Sequence, residues 1–158
     1  MAYGEALSST EDLKGRSGID LLARMIYSEA SNQSEEGKRG CAFVAKNRKD
    51  KNTKEFGGNT WEGVLLKANQ FAGMTTNNAL KPDTTSSAWK DSLEIAKNIS
   101  KKTNPIRSCL WFNKNSLYSK QSKTESGKEY YKFGNGAYNE VTEKVVIGDH
   151  TFFKISGY

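Results

Sequence analysis

The first predicted helix carries a carboxylate at the end of its apolar stripe, and this position constrains the chain most. Within residues 17–30, Leu22, Met25 and Ile26 recur at helical spacing, and Glu29 is the next position on the same stripe. A carboxyl group at a core-facing helix end is partly desolvated, so its pKa should rise, as a general acid near neutral pH requires. The alternative is that Glu29 turns to the rim of the stripe and is solvated, because buried unpaired glutamates are rare.

The length and composition indicate one folded domain. The chain has 158 residues, of which 35% are hydrophobic and 11% aromatic, enough for one sizeable core and against disorder. No apolar run reaches the length of a membrane span, so we expect no membrane insertion. The first residues have neither a basic n-region nor an apolar h-region, so we also expect no signal peptide. Residues 1–16 should form a flexible lead-in and residues 17–158 a single, monomeric domain.

The net charge of +6 implies attraction to an anionic partner, such as nucleic acid, anionic lipid or a bacterial wall polymer. No RNA-binding signature or basic zipper accompanies the scattered lysines, so we expect no nucleic-acid partner. Cys41 and Cys109 are expected to be buried thiols, unless the fold brings them together as a disulfide. There is no zinc-ligand spacing, and a lone His150 cannot build a histidine site, so we expect no metal and no cofactor.

The order of the periodic segments predicts an α+β fold, with helices first and a small antiparallel sheet last. The predicted helices are 17–30, 34–49, Trp61–Ala68 and 86–100. A polar loop, Asn69–Thr85, separates the last two. The predicted strands are Arg107–Asn113, Val141–Ile147 and His150–Ile155, the last two joined as a hairpin by Gly148-Asp149. The stretch Lys114–Asn139 is predicted to be a long, partly ordered loop.

Several short motifs follow one another along the chain. They are Leu21–Ala30 with its closing Glu-Ala pair, Glu36-Gly37, Val44, Asn47-Arg48, Trp61–Val64, Gln70-Phe71, Trp111–Asn113 and Ile147–Phe152. Together they resemble the SleB-like family of bacterial cell-wall hydrolases, the catalytic domain of spore-cortex-lytic enzymes, over roughly residues 18–154. Two features depart from the family: Ser31-Asn32-Gln33 replaces an Arg-Gly-Glu continuation, and the stretch 114–139 is longer and more polar.

The resemblance implies a lysozyme-like fold and action on the glycan strands of peptidoglycan, usually as a lytic transglycosylase. Glu29 would act as general acid and then as general base at the β-1,4 bond between N-acetylmuramic acid (MurNAc) and N-acetylglucosamine (GlcNAc). A muramidase-type hydrolase cutting the same bond is the alternative, and it would normally need a second carboxylate. Glu36, Glu62 and Asp149 are candidates, although none shares the setting of Glu29.

Other residues are candidates for binding the substrate. Gln70 and Asn113 offer neutral hydrogen-bonding groups, and Phe71, Trp111 and Tyr118 offer rings that can stack on sugar faces. Trp111 is equally consistent with a core position. His150 is a candidate through the family's closing motif, with a structural histidine as the alternative. Arg48 has two interpretations: binding a substrate carboxylate, or forming an ion pair with an early acidic residue.

Other functional classes remain open. One is a non-catalytic wall-binding or virion module, which would be free to lose Glu29. A nucleic-acid-binding domain rests on charge alone. An amidase or peptidase would usually need zinc or a Cys–His pair. We expect the enzyme to act on the cell wall or spore cortex, and a leaderless chain suits a phage or prophage lysin (an endolysin) or a protein stored in a spore.

Overall fold

The computed structural model describes residues 2–158 and shows an α+β fold, as predicted. Six α-helices and five strands follow one another, with short 3-10 helices at Thr10–Leu13, Lys54–Phe56, Ala72–Thr75 and Ile99–Lys101. The α-helices are α1 (Gly18–Ala30), α2 (Glu35–Lys51), α3 (Trp61–Leu65), α4 (Asn77–Leu80), α5 (Ser87–Lys97) and α6 (Asn115–Gln121). The strands are β1 (Trp111–Lys114), β2 (Ser122–Glu125), β3 (Lys128–Lys132), β4 (Tyr138–Ile147) and β5 (His150–Ile155).

Hydroxyl side chains define where four of the helices begin. Each of these N-cap oxygens accepts a hydrogen bond from the backbone N–H three residues later, which satisfies one of the free donors in the first turn. The caps are Ser17 of α1, Ser34 of α2, Thr60 of α3 and Ser86 of α5. The predicted helix starts are confirmed, whereas α3 and α5 end three residues earlier than predicted.

The five strands form one antiparallel sheet in the order β1-β5-β4-β3-β2. The predicted hairpin of β4 and β5 is confirmed, and Gly148 in its turn has a φ of 57°, a conformation that glycine adopts without strain. Strand β5 is buried on both faces. Phe152 points into the main core beneath the helices, and Phe153 into a smaller cluster with Tyr118 and Tyr131.

The prediction of a long loop over 114–139 is wrong, because this stretch holds α6, β2 and β3. Strands β2 and β3 are joined by Ser126-Gly127, with φ values of 54° and 78°, which is the geometry of a tight two-residue hairpin turn. Most side chains of β2 and β3 are solvated, and Tyr131 alone is fully buried among them. With so little apolar content, the alternation that marks a strand is weak in the sequence.

The structure differs from the expected flexible lead-in at residues 1–16, of which Met1 lies outside the described residues. The N–H of Gly4 donates to the carboxylate of Asp20 at 2.7 Å, and the Nε of Arg16 donates to the same carboxylate at 2.5 Å. Arg24, fully buried in α1, also donates to Asp20 and reaches the carbonyl oxygen of Glu5 at 2.7 Å. The buried carboxylate needs these donors, so it fixes the segment against α1.

Cys41 and Cys109 are both free and buried, which confirms the expected thiols. Burial raises the pKa of Cys109 to about 11 and that of Cys41 well above its ordinary value, so both stay protonated near neutral pH. Among residues 2–158, no three His, Cys, Asp or Glu side chains are grouped to hold a metal ion. No helix in this range is long and apolar enough to cross a membrane.

Replacing Asp20 should strongly destabilise the fold. Asp20 is 1% exposed, and the variant Asp20→Asn leaves the buried guanidinium of Arg24 without its counter-charge. We expect a loss of about 3–5 kcal/mol in the free energy of unfolding, measured by urea denaturation. The control is Glu11→Gln, whose partner Lys14 lies on the surface, and it should unfold at the wild-type urea concentration. Equal midpoints for both variants would contradict this role of Asp20.

Candidate active site

A cleft of about 1500 Å³ opens between the helices and the sheet, and it contains Glu29. Its walls come from the end of α1, the segment Asn69–Gly73, strand β1, the β4–β5 turn and the last residues of the chain. The predicted residues Gln70, Phe71, Trp111, Asn113 and His150 line it together with Glu29. The structure thus brings together six of the seven residues predicted for the site.

Glu29 lies in the last turn of α1, half-buried, with its Oε1 accepting a 3.3 Å hydrogen bond from the N–H of Gly73. Burial raises the pKa of its carboxyl group above the ordinary value. The Gly73 hydrogen bond and the positive charge of Lys114 oppose this rise without cancelling it. The position of Glu29 on the apolar stripe predicts a pKa shift in this direction.

Gly73 approaches Glu29 so closely that a larger residue at this position would have to move the carboxyl group. A Cβ at position 73 would lie 2.8 Å from the Oε1 of Glu29 and 2.5 Å from the Oγ of Ser28. Gly73 belongs to the 3-10 helix Ala72–Thr75 inside the predicted polar loop. The loop therefore serves as one wall of the carboxyl group's pocket.

Strand β1 presents two different faces along the cleft. Phe112 packs against Phe71 and Phe152, with ring centroids 6.4 Å and 5.7 Å away, on the side of the main core. Lys114 follows two residues later and so lies on the same side of the strand, where its charge acts on Glu29. Trp111 points to the other side and stacks on Phe153 at 5.9 Å.

Arg48 organises the segment around Gln70 and Phe71. Its guanidinium lies 4.8 Å from the ring centroids of both Phe56 and Phe71, which is a cation–π contact with each ring. Its Nε donates to the carbonyl of Leu110 at 2.7 Å, and its Nη1 donates to the Oε1 of Gln70 at 3.0 Å. Burial lowers the pKa of Arg48 to about 10. The interpretation of Arg48 as an ion-pair partner of an early acidic residue is wrong, since its bonds within residues 2–158 go to Leu110 and Gln70.

Asn113 and Tyr118 have different surroundings. Asn113 lines the cleft, and its Nδ2 donates to the hydroxyl of Tyr131 at 2.5 Å. Tyr118 lies outside the cleft lining, stacked on Tyr131 in the smaller core cluster, with its hydroxyl donating to Glu129. The structure therefore does not bring Tyr118 to the cleft as a stacking ring. The prediction missed this because α6, which carries Tyr118, was interpreted as loop.

His150 is 5% exposed, and its ring stands edge-on to Phe112 at 5.3 Å. Its Nδ1 is buried with no hydrogen-bond partner among the described residues, although the residue lines the cleft. Burial lowers the pKa of the imidazole, which favours the neutral form. A neutral imidazole can accept a hydrogen bond from a ligand or donate one to it without carrying charge.

Two further carboxylates line the cleft, and both are held by neighbouring side chains. The Oδ2 of Asp149 accepts a hydrogen bond from the Nε2 of Gln33 at 3.0 Å. Glu55, which the sequence did not predict, accepts bonds from the hydroxyl of Tyr158 at 2.7 and 2.8 Å. Glu36 is exposed and Glu62 accepts from the N–H of Gly15, and both lie outside the cleft lining.

Glu55, Lys114, Phe133 and Tyr158 all line the cleft but were missed as site residues. They lie on a 3-10 helix, at a strand end, in a loop and at the last position of the chain. No local pattern distinguishes them from ordinary surface residues. A reliable prediction of the tertiary fold would have been needed to find them.

A family model described as Cell Wall Hydrolase matches residues 32–153. The chain belongs to this family. The resemblance found in the sequence is thus confirmed, and this cell wall hydrolase is expected to act at the wall. The matched range begins three residues after Glu29, so the match by itself assigns no role to that side chain.

Two solved structures share the fold of this cell wall hydrolase. One is the catalytic domain of the germination-specific lytic transglycosylase SleB from Bacillus anthracis, with a TM-score of 0.55 and 20% identity, covering 89% of this chain and 98% of that one. The other is the catalytic domain of the Bacillus cereus SleB protein, with a TM-score of 0.54 and 21% identity, covering 89% and 94%. No curated protein sequence matches significantly.

The substitution Gly73→Ala should displace the carboxyl group of Glu29, because the added Cβ would lie only 2.8 Å from its Oε1. A shift of about 1 Å at a catalytic group can lower the rate about 100-fold, so we expect a loss of that order in the release of soluble wall fragments. The control is Thr75→Ala in the same 3-10 helix, since Thr75 does not line the cleft. An active Gly73→Ala variant, with the wild-type melting temperature, would contradict this tight packing.

Proposed function

We propose that the chain is a peptidoglycan lytic transglycosylase that cuts the MurNAc–GlcNAc β-1,4 bond with Glu29 as general acid and base. One observation carries the proposal. Three carboxylates line the cleft. Among residues 2–158, no other side chain hydrogen-bonds to the carboxyl group of Glu29, which accepts only from the backbone N–H of Gly73, and burial raises its pKa. Asp149 and Glu55 are both held by neighbouring side chains.

In the first step, protonated Glu29 gives its proton to the glycosidic oxygen. The bond between that oxygen and C1 of MurNAc breaks, and the GlcNAc side leaves with a free 4-hydroxyl. A raised pKa favours the protonated form that this step needs.

In the second step, the ionised Glu29 removes the proton from the 6-hydroxyl of the same MurNAc. The O6 then bonds to C1 and closes a 1,6-anhydro ring. No water is consumed, and Glu29 ends protonated, ready for the next bond. A single carboxyl group is therefore sufficient.

The runner-up is a muramidase, and Asp149 supports it because it lines the same cleft. A hydrolase needs its second carboxylate to activate water or to attack C1. Asp149 is bound by the amide of Gln33, and its own N–H donates to the Oε1 of that residue at 3.1 Å. This mutual pairing favours a structural role for Asp149, joining the β4–β5 turn to the connection between α1 and α2.

A non-catalytic wall-binding module is less consistent with the site. Partial burial of a carboxyl group without a charged partner costs stability, and binding alone does not require it. The activity named for the SleB domain of similar fold also supports a transglycosylase.

The remaining cleft residues are proposed to bind the glycan. Gln70, Asn113 and His150 would hydrogen-bond the N-acetyl and hydroxyl groups, while Phe71 and Trp111 would contact sugar faces. The net charge of +6 suits the polyanionic wall. A monomeric state and a phage or spore context stay predictions.

The decisive experiment is mass spectrometry of the fragments released from purified peptidoglycan by wild type and by Glu29→Gln. We expect fragments ending in 1,6-anhydro-MurNAc from wild type, and a loss of about 10²- to 10⁴-fold in the variant. The control Glu36→Gln changes an exposed glutamate outside the cleft lining and should keep full activity.

Two results would overturn parts of the proposal. Fragments ending in reducing MurNAc would make the enzyme a muramidase and direct attention to Asp149. Binding to peptidoglycan without any release by wild type would leave a wall-binding module.

A further inference from the structure

The cleft has an aromatic end that the proposed chemistry at Glu29 does not use. Trp111, Phe133 and Tyr158 line it, and Phe133 is 38% exposed. Strand β1 runs from Trp111 to Lys114, the residue whose charge acts on Glu29. Three residues of extended strand span about 10 Å, so Trp111 lies about that far along β1 from Lys114.

The three rings are held in place before any ligand binds. The centroid of Trp111 lies 5.2 Å from that of Phe133 and 4.9 Å from that of Tyr158, which stands edge-on to it. The hydroxyl of Tyr158 is fixed by both carboxylate oxygens of Glu55. Phe133 begins a tight turn, closed by a 2.9 Å hydrogen bond from the N–H of Gly136 to its carbonyl. Preorganised rings lose little conformational entropy on binding.

Polar groups surround these rings at the same end of the cleft. Glu55, Asn139 and Ser156 line it beside the aromatic side chains. A pyranose ring has an apolar C–H face and a rim of hydroxyl groups, so a cluster of aromatic rings with polar groups around it complements the sugar.

We propose that Trp111, Phe133 and Tyr158 form a distal subsite that holds a hexosamine ring of the same glycan strand. This inference rests on the proposed function. Binding energy gained far from the reacting bond can lower the barrier at that bond, so the subsite makes cleavage depend on strand length. Long strands occupy the subsite, whereas short oligosaccharides do not reach it.

The test uses glycan strands of 4 to 12 sugars and the variant Phe133→Ala. For wild type we expect kcat/KM to rise at the length that first fills the subsite, by about tenfold for an interaction of about 1.4 kcal/mol. Phe133→Ala should lose this rise and keep the wild-type rate on the shortest strands. The control is Tyr138→Ala, which removes an aromatic ring that is 40% exposed outside the cleft lining and should behave as wild type.

A length-dependent rise that survives in Phe133→Ala would overturn the subsite, and so would an equal loss at every length. Binding separates this inference from the proposed function. In the Glu29→Gln background, affinity for the same strands is followed by tryptophan fluorescence, to which Trp111 contributes. A length-dependent affinity that Phe133→Ala removes would support the subsite even if wild type released no fragments.

Discussion

Helix α1 is buried over most of its length, so every charged side chain on it must be compensated or must carry a shifted pKa. Burial would raise the pKa of Asp20, but hydrogen bonds from Arg16, Arg24 and Gly4 outweigh it and hold the pKa below its ordinary value. Nine residues later, Glu29 receives one long backbone hydrogen bond, and burial raises its pKa. One helix thus holds a structural carboxylate that stays ionised and a second that can carry a proton.

The sheet supplies the opposite wall of the cleft because β5 is buried on both faces. Phe152 and Phe153 anchor it in two separate clusters, and β1 pairs with it in register. The alternation of β1 then sends Lys114 toward Glu29 and Trp111 toward the aromatic end. Strand β1 thereby links the proposed site of bond cleavage at Glu29 to the proposed glycan-binding subsite at Trp111.

Much of this could be predicted from the sequence where the signal is local. The helical period placed Glu29, the hydroxyl caps placed four helix starts, and ordered landmarks gave the family. The hairpin β2–β3 was missed because its strands, mostly exposed or half-buried, lack apolar alternation. Tyr118, on the neighbouring helix α6, was predicted to stack on a sugar but lies outside the cleft lining. Contacts distant in sequence, such as Glu55 with Tyr158 or Asp20 with Gly4, leave no periodic pattern, so only the fold reveals them.

Burial should keep the carboxyl group of Glu29 protonated at a higher pH than usual. A pH titration by ¹³C NMR of side-chain-labelled glutamate, with the signal assigned by its absence in Glu29→Gln, measures this directly. We expect a pKa above that of glutamate in an unstructured peptide. A pKa at or below that reference would show that Glu29 is solvated or paired, and would contradict its role as the acid.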